Sequence, residues 1–293
     1  MVTVPCSFRD MPRWWHGNQA AWLDALPGLA RAQAAAWGLV LEEPVRHGSN
    51  ALVIPARRDG QLLVLRLTPP GPDFAAEVAA LRFWNGRGTV HLLDVDLPTG
   101  AMLLERLDPD RSAQHLPLSE AVAVLARMMR RLAVPPPRQA VTTAGLVQHR
   151  SGELENDWTR LGRPIPASVL SAAMTSAKVL SRPDTDLAVN GDLHFRQVLR
   201  GADNQWTCVD PRLLRGDIEY DLARVLWSRL DEMSDDADIR HHLQAAVDCA
   251  GLNADRASHW VLFRTVDYWL WGLANGLTHD PARCARLAAA ITP

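Results

Sequence analysis

A chain of 293 residues, 47% hydrophobic and 22% charged, has the make-up of a globular protein with a sizeable core, in one large domain or two modest ones. A formal net charge of −2 gives no footprint for a nucleic-acid-binding surface. Cys6, Cys208, Cys249 and Cys284 are too widely spaced for a zinc site or a disulfide framework, and with no signal-peptide pattern and no run of about 18 apolar residues the chain reads as cytoplasmic, with no membrane span.

In chain order, residues 1–18 read as a loose leader. A helical pattern follows from Asn18 through Ala21, Trp22, Ala25, Leu26, Leu29 and Ala30. A second helical run is predicted after Pro27, ending near Trp37-Gly38, where glycine suits a C-cap. The period then changes to strands at 39–41, 51–54 and 61–67, the last two joined by an Asp59-Gly60 turn. A helix with Asp73 as its cap runs to Trp84, and strands follow at 90–95 and 101–106. Beyond this the chain is mostly helical. Helices are expected at 119–132, capped by Ser119 and ended by Pro135-Pro136-Pro137, and at 220–230, 237–250, 255–272 and 281–290. A short hairpin is expected around Gly201–Asn204. No internal repeat or low-complexity segment occurs. A β-rich first part and a helical second part predict an α+β fold in two lobes, 1–106 and 107–293.

The chemistry concentrates in Asn190-Gly191-Asp192-Leu193-His194-Phe195-Arg196-Gln197-Val198-Leu199 and, across the short hairpin, Val209-Asp210-Pro211. Phosphoryl transfer to a hydroxyl needs a carboxylate to orient or deprotonate that hydroxyl. It also needs oxygen ligands for Mg²⁺, which neutralises the triphosphate. Asp192, Gln197 and Asp210 have that layout, in the chain order in which a catalytic-loop aspartate precedes a metal-binding one.

These segments resemble the H-G-D-L-H-x-x-N and D-P signature of the aminoglycoside phosphotransferase superfamily, and within it the streptomycin 6-kinase and hydroxyurea phosphotransferase group. Gly216-Asp217-Ile218-Glu219-Tyr220-Asp221-Leu222, Met102-Leu103-Leu104-Glu105-Arg106-Leu107 and the helix around Ala21–Pro27 extend the resemblance over residues 18–290. It implies a protein-kinase-like fold with an antiparallel sheet and one helix in the N-lobe, a mainly helical C-lobe, and ATP and Mg²⁺ between them. It further implies that Asp192 is the catalytic base or hydroxyl orienter, that Asp210 holds the metal with Gln197 at the position of the second ligand, directly or through a water, and that Glu105–Leu107 is the hinge binding adenine. Arg66 paired with Glu77 would meet the phosphates, the Gly48-Ser49-Asn50 turn would cover them, and Asp221 and Asp217 would brace the catalytic loop. Asp217 alternatively faces the substrate. His194 is expected to pack and support the loop.

Three positions depart from the family pattern. Arg66 stands where a lysine is usual, Gln197 where an asparagine ligates the metal, and Asn190 ahead of the Gly-Asp pair. The first two leave open a second reading, a kinase-like nucleotide- or ligand-binding module with weak or no catalysis. A purely structural interaction protein is a third. The acceptor would be a small hydroxyl compound, an aminoglycoside or a relative. For a cationic acceptor the sequence offers Asp267 with Trp269 and Trp271; the two tryptophans, at spacing two, cannot share one helix face, so at least one of them is expected in the core. The run Asp231–Asp238 reads more simply as a solvated loop with capping aspartates. Trp14-Trp15-His16 could cover the same place, and His241-His242 read as surface residues.

Overall fold

A computed structural model describes residues 2–11 and 19–292; the Trp14-Trp15-His16 segment lies outside them. Two compact units are formed, Met1–Pro109 with Arg200–Val209, and Asp110–Leu199 with Asp210–Pro293. The 200–209 segment therefore belongs with the first unit although it is distant in sequence.

In the first unit the expected loose leader contains a turn of helix, α1 (Cys6–Arg9), because Phe8 is fully buried against Trp22 and His47. A single helix α2 (Gln19–Trp37) replaces the two predicted, running through Pro27. Proline removes one helical hydrogen bond, but Leu23, Leu26, Ala30 and Ala34 bury one continuous stripe on both sides of it. The strands β1 (Val40–Leu41), β2 (Arg46–His47), β3 (Leu52–Arg58), β4 (Gln61–Leu67), β5 (Leu92–Asp96) and β6 (Ala101–Glu105) build one antiparallel sheet, in which β4 lies between β3 and β6. Positive φ at both Asp59 and Gly60, 51° and 80°, makes the tight turn predicted there. Leu63, Leu65 and Leu67 alternate into the core, which turns Arg66 to the opposite face. Helix α3 (Pro72–Trp84) buries Phe74, Val78, Leu81 and Trp84; Gly71, not Asp73, is its N-cap, since Pro72 occupies the first helical position.

Strand β7 (Asp108–Ser112) crosses from the first unit into the second, which continues with α4 (Leu118–Leu132). Ser119 lies inside α4 and caps nothing, because the helix already starts at Leu118 behind Pro117. Then follow β8 (Val141–Thr142), α5 (Thr143–Arg160), α6 (Ala167–Leu180), β9 (Leu187–Val189), β10 (Val198–Arg200), which runs into the first unit's 200–209 segment, β11 (Trp206–Cys208) within that segment, and, back in the second unit, β12 (Leu214–Gly216). The chain closes with α7 (Leu222–Ser228), α8 (Asp236–Ala250), α9 (Ala254–Ala274) and α10 (His279–Ile291). Strand β12 pairs with β9 antiparallel and with β8 parallel. Trp260, Val261, Val266 and Leu270 of α9 are fully buried and form the centre of this unit. His242 is also buried, with Nδ1 3.1 Å from Asp238, which corrects the surface assignment. Among the described residues no helix is long and apolar enough to cross a membrane.

Candidate active site

Strand β9 feeds its buried Ala188 and Val189 into the loop Asn190–Gln197. Gly191 turns the chain at φ +81°, where a Cβ would stand 2.8 Å from the Leu214 side chain, so only glycine fits. The Asn190 side chain accepts the Asp192 N–H at 3.2 Å, and Asp221 accepts the Gly191 N–H at 3.3 Å. Leu193 and Phe195 are fully buried, and the Ser112 hydroxyl donates to the Phe195 carbonyl at 3.1 Å. Anchored on both sides, the loop leaves Asp192 accessible, its side chain 32% exposed, with Oδ1 3.1 Å from Arg224 Nε.

Gln197 is buried. Its amide nitrogen donates to the Asp210 backbone carbonyl at 3.4 Å, while its Oε1 has no hydrogen-bond partner. An orphaned buried carbonyl oxygen is costly unless something binds it. Asp210 itself adopts a left-handed backbone, φ +52°, a conformation that side chains other than glycine's adopt rarely and aspartate among the least reluctantly. One carboxylate and one amide oxygen fit Mg²⁺, which binds few protein ligands and relies on phosphate and water for the rest.

His194 lies on the same loop, between Asp192 and Gln197. Burial and Arg224 lower its imidazole to about 4, while Asp192 and Asp210 both pull the other way. Both carboxylates thus act on one ring, which remains neutral at physiological pH. Asp221 is raised from its ordinary 3.8 to about 6 by burial, against Arg264 and the N–H groups of Gly191 and Leu193. A carboxyl raised in the folded state supports folding only while protonated, so this contribution is complete below about pH 4 and is lost as pH rises through about 6. Asp221→Asn keeps an oxygen for Gly191 and is expected to flatten the dependence of Tm on pH across that window. Equal slopes in variant and parent would reject the assignment.

In the first unit Arg66 and Glu77 form a buried ion pair at 2.9 Å, with Arg66 Nη2 3.5 Å from the Asn50 side chain. Asn50 and the exposed Ser49 belong to a turn closed by the Gly48 N–H on the Ala51 carbonyl at 2.9 Å. Glu105 lies opposite Leu63 in the sheet and its carboxylate accepts the His91 N–H at 2.8 Å; Leu107, just beyond β6, is buried.

The acceptor candidates fare differently. Asp217 has no exposed surface. It accepts the N–H groups of Asp184 and Thr185 at 2.9 and 3.0 Å, Arg256 Nε at 2.6 Å and Trp260 Nε1 at 3.0 Å. It faces no substrate and instead ties the approach to β9 onto α9, which corrects the alternative role above. Asp267 is committed to Arg150 at 2.8 Å, and burial pushes its carboxyl up against that pull. Trp269 packs on the core and Trp271 is 49% exposed. Trp271 stacks on Tyr268 at 5.4 Å, and Tyr268 on Trp227 at 4.6 Å. In the acidic loop Asp231 pairs with Arg283, Glu232 with Arg229, and Asp235 caps α8.

Arg224 was not anticipated. The signal was available: Asp221 starts α7, and residues three apart on a helix share a face, so the side that braces Gly191 also presents Arg224 to the loop.

A family model described as aminoglycoside/hydroxyurea antibiotic resistance kinase matches residues 36–276. The chain is 34% identical to a hydroxyurea phosphotransferase of Kitasatospora aureofaciens, over 99% of this chain and 86% of that protein. It is 32% identical to a streptomycin 6-kinase of Streptomyces glaucescens, over 89% of this chain and 88% of that one. A solved structure of a thermostable mutant of aminoglycoside phosphotransferase APH(4)-Ia with ADP and hygromycin B superposes with a TM-score of 0.63 at 16% identity, covering 89% of this chain and 97% of that chain. That likeness shows the protein-kinase-like fold.

Proposed function

The chain belongs to the aminoglycoside/hydroxyurea antibiotic resistance kinase family, and on that premise we propose that it moves the γ-phosphate of Mg²⁺-bound ATP to a hydroxyl of an aminoglycoside, streptomycin-like, or of a related small molecule. Asp192 accepts the hydrogen bond of the acceptor hydroxyl and aligns its oxygen with the terminal phosphorus. It takes the proton as the new O–P bond forms and the bond to ADP breaks. Gln197 Oε1 and Asp210 hold the metal, which when bound neutralises the triphosphate charge. Arg66, fixed by Glu77, presents a cation to the phosphates, the Ser49 turn covers them, and the backbone of Glu105–Leu107 meets the adenine.

The observation that carries this reading is the orphaned oxygen of Gln197, whose amide nitrogen is tethered to the Asp210 carbonyl, in the loop that leaves the Asp192 side chain accessible. Retention of both carboxylates favours catalysis over a module that only binds nucleotide. The test is ADP release from ATP and Mg²⁺ across a panel of hydroxyl acceptors, with the phosphorylated product identified by mass spectrometry. Acceptor-dependent ADP release is expected; none with any acceptor rejects the proposal. Gln197→Ala is expected to raise the Mg²⁺ concentration for half-maximal turnover by about tenfold, and an unchanged Mg²⁺ titration would remove Gln197 from the metal site.

A further inference from the structure

Helix α1 reaches the turn at Gly48-Ser49-Asn50 through one side chain, His47. Phe8 of α1 is fully buried, its ring 5.2 Å from the His47 ring and 6.4 Å from that of Trp22. Val2 and Val4 are buried in the same core as Leu52 and Ile54 of β3. Burial of these apolar side chains seats the leader on the sheet.

His47 ends β2 and pairs with Leu52 across the turn. Its Nε2 lies 2.8 Å from the hydroxyl of the exposed Ser7, and its Nδ1 2.9 Å from the Gly48 carbonyl oxygen. A carbonyl only accepts, so Nδ1 carries the proton, and in the neutral ring Nε2 accepts from Ser7. One ring nitrogen therefore serves the leader and the other serves the turn.

The bond to Gly48 decides how the Gly48–Ser49 peptide is turned. A trans peptide carries its C=O and N–H on opposite edges, so holding the Gly48 carbonyl sets the direction of the Ser49 N–H. Little else at Gly48 restrains that plane. A Cβ there would meet nothing within 4 Å, and glycine has the most permissive backbone of any residue. Elsewhere in the turn the Gly48 N–H donates to the Ala51 carbonyl at 2.9 Å, and the Asn50 side chain lies 3.5 Å from Arg66 Nη2.

Resting on the phosphotransferase reading above, in which this turn covers the phosphates, we propose that His47 is a positioning residue for the nucleotide. It carries the seat of α1 to the Gly48–Ser49 peptide and presets the turn for the phosphates of ATP. A peptide already turned adds no ordering cost when the ligand arrives, so the effect falls on nucleotide affinity.

His47→Phe keeps a ring against Phe8 and removes both polar links. It is expected to raise the dissociation constant and the KM for Mg²⁺-bound ATP by about tenfold. The kcat at saturating ATP and the KM for the acceptor should stay within about twofold of the parent's. Adenosine, which carries no phosphate, should bind both proteins equally. His47→Asn keeps a donor at the Nδ1 position and should recover most of the ATP affinity. Ser7→Ala cuts only the leader link and should weaken ATP by about threefold. ATP affinity at the parent value in His47→Phe or Ser7→Ala, an equal loss for adenosine, or no recovery in His47→Asn overturns this proposal alone. Calorimetry reads these affinities without turnover, so the absence of ADP release with every acceptor rejects the phosphotransferase reading and leaves the His47 comparison decisive for nucleotide binding. A parent protein that binds no ATP overturns both.

Discussion

Asp192→Ala is expected to lower kcat by about 10²- to 10⁴-fold, the range for a positioned general base, while the dissociation constant for ATP stays within about twofold. The physical reason is the division of labour along the loop. Asp192 is the one carboxylate of the Gly191–Gln197 stretch with its side chain accessible, and its N–H is separately held by Asn190. Removing the side chain deletes the proton acceptor and leaves Gln197 and Asp210 in place. Asp192→Asn separates shape from basicity: it keeps the size and should lose nearly as much, because an amide oxygen takes no proton. Stability should fall by no more than about 1 kcal/mol, since the Arg224 contact is partly solvent-exposed. Single-turnover kinetics beside calorimetric nucleotide titration decide the matter, and turnover close to that of the parent would sink the assignment.

Asp217→Ala is expected to destabilise the second unit by about 3–5 kcal/mol, the usual cost of stripping one partner from a buried ion pair. Three kinds of donor converge on this carboxylate: the main-chain N–H groups of Asp184 and Thr185, the Arg256 guanidinium and the Trp260 indole. Without it the Arg256 charge stays buried, its Nη2 held by the Arg182 carbonyl, and two main-chain donors lose their acceptor. Denaturant unfolding followed through the tryptophans reports the loss. A drop of less than about 1 kcal/mol would mean that water replaces the carboxylate, contrary to its complete burial. A surviving folded fraction should keep its ATP affinity, which separates this effect from that of Asp192.

Much of the sheet was legible because its signals are local. The strand 61–67 was read with the observed bounds, since alternation of Leu63, Leu65 and Leu67 is visible in the chain itself. The Asp59-Gly60 turn depends only on which residues tolerate positive φ. Helices α5 and α6 were not assigned, because their buried positions pack against α9 across more than eighty residues of sequence. Pro27 misled for the same reason: its local cost argues for a break, and burial of the surrounding stripe outweighs it.

The spacing of Asp192, Gln197 and Asp210, the residues proposed to carry the chemistry, is set by the amino-acid order over a short stretch, and the pairing of Arg66 with Glu77 that the resemblance implied is present in the fold. Which carboxylates remain available was decided only by folding. Asp217, Asp231, Glu232 and Asp267 are alike in sequence, and each is taken by an arginine that lies between 3 and 117 positions away. Charge pairing depends on distance in space, and that distance is set by how the helices pack, so Arg224's place beside Asp192 appears only once α7 is seated against the loop.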